Sequence, residues 1–171
     1  MKRKNMILLI TTMIMGLTAG IFYCWSVSVT RGLALLPDKE YITAFQSLNR
    51  AILNPLFFAC FLGTVILLPV STWVSYAQPL PVRFWLLFAA SLLYIIGVIG
   101  VTMGGNVPMN EALDKFNPAI VTDAEITAKR IAYEARWNML NNIRTVTCVI
   151  CLVLTLLACM VTPGARVIEL K

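Results

Sequence analysis
Four long apolar runs limit what this chain can fold into more than any motif does. They cover about 6–27, 55–77, 83–104 and 145–163. A helix needs roughly 20 residues to cross about 30 Å of hydrocarbon, and each run is long enough. The second and third are joined by "SYAQPLPVR", a short turn with prolines at 79 and 81, which forces adjacent antiparallel helices. Open backbone cannot be left in lipid, so the economical arrangement is an up-down-up-down bundle. The expected fold is therefore all-α: one membrane domain over 1–171, four transmembrane helices, and short amphipathic helices in the two loops on one side.

Composition points the same way. Of 171 residues, 59% are hydrophobic and only 13% charged, whereas a soluble domain carries about 25% charged residues. The net charge of +6 comes from scattered lysines and arginines with no basic stripe interleaved with aromatics. Membrane lipid, not nucleic acid, is the expected partner.

The N-terminal "MKRKNMILLITTMIMGLTAG" has the basic start of a signal peptide, and Thr18-Ala19-Gly20 resembles a cleavage site. The following "IFYCWSVSV" instead extends the apolar run to spanning length, so we expect a first membrane helix. Lys2, Arg3 and Lys4 at its start favour both termini in the cytoplasm, of a bacterial inner membrane. Counting lysine and arginine alone, the opposite side carries more, including Arg31, Lys39, Arg50, Lys129, Arg130 and Arg144. The first helix usually dominates.

The loops have structure of their own. In "DKEYITAFQSLNRA", Asp38 after Pro37 has the character of a helix cap. Tyr41, Phe45, Leu48 and Ile52 recur at helical spacing, which predicts an amphipathic helix over about 38–52. "NP" at 54–55 should break the chain there, since a residue before proline avoids the helical region. "TDAE" at 122–125 has the form of a capping box, and the helix it starts, over about 123–140, can run unbroken into the fourth span.

That last helix carries the most informative pattern. Trp137, Asn141, Arg144, Cys148, Cys151 and Thr155 are spaced by three and four residues and share one face. An unpaired polar group in hydrocarbon costs several kcal/mol, roughly, so this face should point into the bundle. Arg144 should be paired there, with Glu111 or with amide oxygens of Asn106, Asn110 or Asn49. On the first helix, Thr12, Gly16, Gly20 and Tyr23 align, the two glycines allowing close approach. Gly104 and Gly105 should end the third span by adopting positive φ, with Pro108 fixing the exit. Asn106 and Asn110 then join Gln46, Asn49, Asn141 and Arg144 in one polar constellation at one end of the bundle. Such a network serves as structural glue or as a ligand site.

"QSLNRAILNP", "NVPMNEAL" and "WNMLNNIRTV", in this order among these spans, resemble the anthrone oxygenase-like family of small four-helix membrane proteins. The resemblance covers nearly the whole chain. It implies oxidation of an anthrone to an anthraquinone with O2, without metal or flavin. Asn49, Asn106, Pro108, Asn110, Asn141 and Arg144 match the family pattern. Many relatives have a histidine where this chain has Asn142, and the chain contains no histidine at all. An imidazole-ligated haem, copper or iron site is thereby excluded. No cofactor and no metal are expected. A general base would be a carboxylate or tyrosine, with Glu111 and Tyr23 the candidates by position.

Three functions follow as expectations. The first is a pocket for a flat apolar or quinone-like molecule, held or oxidised between the helices. Its residues would be Tyr23, Gln46, Asn49, Asn106, Asn110, Trp137, Asn141 and Arg144, with Arg144 facing an oxygen and Trp137 and Tyr23 stacking. The second is an accessory subunit whose loop helices dock a membrane protein partner or a second copy. The third is quinone-linked thiol chemistry at Cys148 and Cys151, which form a C-x-x-C. That chemistry needs an exposed thiolate and a second cysteine pair. Buried apolar filling suits these cysteines better.

Overall fold
The computed structural model describes residues 3–161. Five helices account for almost all of them. α1 runs Arg3–Ala34, α2 Asp38–Ala51, α3 Pro55–Val74, α4 Val82–Asp114 and α5 Asp123–Met160. α1, α3, α4 and α5 are each long and apolar enough to cross a membrane, so this is an integral membrane protein. They form a four-membered ring in which α1 touches α3 and α5, and α4 touches the same two. Arg83 binds Asn5 Oδ1 (3.1 Å) and the carbonyls of Ala158 (2.9 Å) and Val161 (2.7 Å), so the first and last described segments meet at one end. α2 and the 115–122 connection lie at the other.

Local chemistry sets most element ends. Asn54 is extended, and its side chain accepts from Phe57 N at 3.0 Å, so the "NP" pair ends one helix and caps the next. The capping box at Thr122 is complete, with Glu125 Oε2 accepting from Thr122 N at 2.8 Å. From there α5 continues without a break through 38 residues.

Two expectations fail at α2 and α4. Asp38 does not cap α2, because Pro37 occupies the cap position and Asp38 is the first helical residue. Its carboxylate turns instead to Thr127 and to Arg130 Nη1 (2.9 Å) on α5. Gly104 and Gly105 do not terminate α4. Neither adopts a positive φ, and the helix continues through them to Asp114. The sequence there relaxes into wider π turns over Tyr94–Gly100 and Thr102–Asn106. α1 has a matching π turn at Trp25–Val29. Such turns inside α-helices are rare and concentrate at functional sites.

Packing divides the bundle by level. The membrane core is Met15, Phe22, Phe61, Leu68, Tyr94 and their neighbours, with Cys148 and Cys151 fully buried among them. Gly97 is the close approach, since a Cβ there would come 2.8 Å from the Thr147 side chain. Gly20 has open space instead and brings no helix nearer. The loop end has a separate aromatic core of Tyr41, Phe45, Tyr133 and Trp137 with Leu33, Leu113 and Ile126. Arg130 ties it down. Its guanidinium takes the carbonyls of Ala34 (2.9 Å) and Leu36 (2.7 Å) where α1 ends, pairs with Asp38 and Glu134, and lies 4.4 Å over the Tyr41 ring. A cation at a helix C-terminus satisfies carbonyls left without an intrahelical partner.

Candidate functional site
Where the aromatic core meets the membrane core, the four long helices enclose a cavity of about 200 Å³. α5 supplies Trp137, Asn141 and Arg144; α4 supplies Thr102, Asn106 and Asn110; α2 ends at it with Asn49. Rings and aliphatic side chains complete the wall: Phe22 and Trp25 from α1, Phe57, Phe58, Phe61 and Leu62 from α3, Leu53 just before it, and Met103 from α4. Each π turn of α1 and α4 near this level contributes a lining residue, Trp25 in one and Thr102 and Asn106 in another.

Arg144 is the group with the most unusual surroundings. It is 6% exposed and forms no salt bridge with any of the described residues. Nη2 donates to Asn141 Oδ1 at 3.0 Å and Nη1 to Thr102 Oγ1 at 3.3 Å. The guanidinium carbon lies 4.6 Å from the Phe22 ring centre and 5.6 Å from that of Trp137. Neutral partners and ring faces thus hold a buried cation, and Nε has no partner. The expected pairing with Glu111, Asn106, Asn110 or Asn49 is not made. Asn141, four residues after Trp137 and three before Arg144, is the amide that reaches it. Glu111 lies outside this cavity and lines an adjoining one of about 260 Å³, together with Arg50, Asp114 and Lys115. Asn49, Leu53, Val107 and Asn110 border both.

Asn106 is the second anomaly. Its side chain is 1% exposed, and neither Oδ1 nor Nδ2 has a partner. Buried polar side chains are overwhelmingly hydrogen-bonded, and a missing bond costs about 1–3 kcal/mol. Four buried side-chain polar atoms among the described residues lack a partner, and three of them belong to Asn106 and Arg144. Both residues line the same cavity.

The other polar residues are spoken for. Asn110 Oδ1 accepts from Tyr133 Oη and Trp137 Nε1, both at 2.8 Å, and Asn49 reaches Tyr133 Oη at 3.4 Å. Asn141 Nδ2 donates to Ser26 Oγ at 2.9 Å, which contacts Thr145 Oγ1 at 2.8 Å. These bonds orient the amides, while the Asn106 amide and Arg144 Nε have no partner among the described residues.

Six of the eight residues singled out from sequence therefore line one cavity. The other two do not. Tyr23 is 55% exposed on the outside of α1, because it lies one position past Phe22, which takes the inward place. Gln46 is buried, but its amide donates to the carbonyls of Leu113 and Phe116, both at 2.7 Å, where it holds the end of α4 against α2. Trp137 stacks on protein before anything else, 5.1 Å from Trp25 and 4.8 Å from Phe45. Sequence reasoning missed Phe22, Trp25, Ser26 and Thr102. The polar face of α5 implied facing partners on α1 and α4, but the π turns shift register there and hide which residues they are.

The remaining candidates form no second centre. Cys148 and Cys151 are free thiols buried in the membrane core, and Cys151 Sγ contacts only the Ala90 carbonyl, at 3.4 Å. Among the described residues no three His, Cys, Asp or Glu side chains converge to hold a metal ion.

Searches of curated proteins and of solved structures return no match. The family model described as anthrone oxygenase matches residues 53–154, well over half of the chain. That stretch runs from the border of the cavity at Leu53, through all of α3 and α4, to within the last turns of α5. It contains Asn106, Asn110, Trp137, Asn141 and Arg144 and leaves Asn49 just outside. The chain belongs to the anthrone oxygenase family.

Proposed function
We propose that the cavity binds a flat, fused-ring molecule bearing an ionisable oxygen and promotes its oxidation by O2. The observation that carries this reading is the pair of unsatisfied groups, Asn106 and Arg144 Nε, in an otherwise aromatic wall. A buried cation with only neutral partners is costly unless an anion completes it. A phenolate or enolate oxygen on the ligand supplies that charge, and the Asn106 amide offers one donor and one acceptor beside it. Phe22, Trp25 and Phe61 suit the ring faces.

Arg144 then favours the deprotonated form of the bound ring system. Charge in the conjugated ring activates the carbon that O2 attacks. In the reaction the family name suggests, a ring methylene and O2 give a ring carbonyl and water, so the ligand is oxidised and O2 is reduced. The cavity wall itself offers no carboxylate, and a proton leaves past Asn49 and Asn110 toward Glu111 and Asp114 in the adjoining cavity.

The test uses protein in lipid vesicles with Trp73 and Trp85 replaced by phenylalanine, so that Trp25 and Trp137 report alone. Anthrone should quench their fluorescence, and O2 uptake should accompany anthraquinone formation. Arg144→Met should weaken binding about 10- to 100-fold, the loss of a hydrogen bond to a charged group worth about 1.5–3 kcal/mol. Its thermal stability should hold or rise, because a buried charge without an acidic partner has been removed. Absence of quenching would overturn the site, and quenching without O2 uptake would overturn the oxygenase part.

A further inference from the structure
The cavity has an opening, and its position says where an occupant comes from. Leu53, Phe58 and Leu62 line the cavity and are also exposed outward, and so is Met103 across from them on α4. Leu53 is 64% and Met103 61% exposed. They continue the exposed apolar surface of Leu56 and Ile66 on α3 and Ile95 and Ile96 on α4. A surface of this composition on a spanning helix is covered by hydrocarbon. The mouth therefore faces the side of the bundle, between α3 and α4.

The helix geometry explains the gap. α3 and α4 pack closely along Val82–Leu93, after the short turn that joins them. Past Leu93, α4 winds into π turns, and those segments pack on α5 rather than on α3. A π turn holds more residues than an α turn and shifts the face that follows it. The last tie across is Tyr94, whose Oη donates to the Phe61 carbonyl at 2.9 Å. Beyond that floor, α3 and α4 separate up to the level of Leu53 and Val107. The same π turns that open the gap bring Thr102 and Asn106 to the cavity.

Size limits the occupant. Pockets that enclose a drug-sized ligand are about 300–1,000 Å³, and this one is about 200 Å³. It has room for a ring head and little more. Additional bulk must pass between the lips, where it meets apolar side chains and lipid instead of water.

We propose that the ligand is a membrane-borne ring lipid, an oxygen-bearing aromatic head with a long alkyl or isoprenoid tail. The head enters sideways from the bilayer and the tail stays between α3 and α4. This rests on the site reading above and adds the route and the tail. A tailless ring would instead be free to arrive through the polar cavity at Glu111 and Asp114.

The experiment compares two probes in lipid vesicles by quenching of Trp25 and Trp137: 2-hydroxy-1,4-naphthoquinone, whose enol ionises, carrying a four-unit isoprenoid tail at position 3, and the same ring without a tail. Leu62→Phe with Met103→Phe narrows the mouth using lipid-facing positions that the fold tolerates. Phe58→Ala widens it. The narrowed variant should weaken or slow binding of the tailed probe at least tenfold more than that of the tailless probe. The widened variant should speed binding of the tailed probe. Unchanged binding of the tailed probe to the narrowed variant would overturn the proposal. So would equal losses for both probes, or binding of the tailless probe alone to the unaltered protein. If neither probe quenches the unaltered protein, the site reading itself fails.

Discussion
The two halves of the bundle bury polar side chains in comparable number and use them in opposite ways. Toward the termini they are hydroxyls: Thr11, Thr12, Thr18, Thr64, Ser71, Thr72 and Ser91. Most give their proton to a carbonyl one turn back in their own helix, as Thr64 does to Cys60 at 2.8 Å and Ser91 to Leu87 at 2.8 Å. Several also meet across the bundle, Thr11 with Ser71 at 2.7 Å and Thr72 with Ser91 at 3.2 Å. None of these is left unsatisfied. Toward the loops, beside Thr102 and Thr145, the buried groups are amides and a guanidinium, which cannot satisfy all their donors and acceptors within one helix. Among the described residues four of their atoms remain open, three in one cavity and the fourth, Asn138 Oδ1, outside it. A hydroxyl in a membrane helix is glue that needs no partner, whereas an amide or guanidinium commits the fold to a network or to a ligand.

The sharpest way to break this comparison is to damage the packed half alone. Leu68 is fully buried at the centre of the terminal half. Leu68→Ala should cost about 2–5 kcal/mol of stability, while quenching by anthrone at the distant cavity stays within twofold. Thermal unfolding in detergent and the binding titration measure the two. A large loss of binding with little loss of stability would show that the halves do not divide this way.

The complementary change is Asn106→Leu, close in size but without polar atoms. In the packed half, loss of a satisfied group destabilises. Here an amide with no partner is removed, so stability should rise by about 1–3 kcal/mol, and binding of an oxygen-bearing ring should fall severalfold. Stability bought at the expense of function is the mark of a site. A destabilised Asn106→Leu protein would show that the amide is structural.

The smallest effect lies at the surface of the loop half. The Thr127 hydroxyl, and then the Arg130 guanidinium, hold the Asp38 carboxyl below its ordinary pKa. A lowered folded-state pKa means that this contribution is whole at pH values above the unfolded pKa. It disappears as pH falls through the lower folded value. The protection of α2 amides, taken relative to their intrinsic exchange rate at each pH, should therefore fall under acid conditions, and Asp38→Asn should flatten that acid dependence. An unchanged profile would show that Arg130 holds α2 through the Ala34 and Leu36 carbonyls alone.

Much of the architecture was legible in the chain, because it rests on local chemistry. Apolar runs of spanning length, the interruption at Asn54-Pro55, the Thr122 capping box and the 3–4 spacing of the α5 face each depend on residues within a turn of one another. The fate of α4 was not legible. Gly104 and Gly105, which could adopt positive φ, stay helical within a π turn, with Leu140 of α5 close against Gly105 and open space beside Gly104. Arg144 meets Thr102 of α4 and Asn141 of its own helix in place of the expected Glu111, Asn106, Asn110 or Asn49. Tyr23 and Phe22 show the same limit, since adjacent aromatics on one helix differ only in which way the bundle turns them. Sequence alone determined the membrane class, the four long helices, the polar face of α5 and the family pattern, all set by composition and short-range spacing. Tertiary structure alone decided that Asn106 and Arg144 share an aromatic cavity, that their polar atoms lack partners, and that the cavity opens between α3 and α4. Those depend on helix register and on how closely separate helices approach, which no single segment encodes.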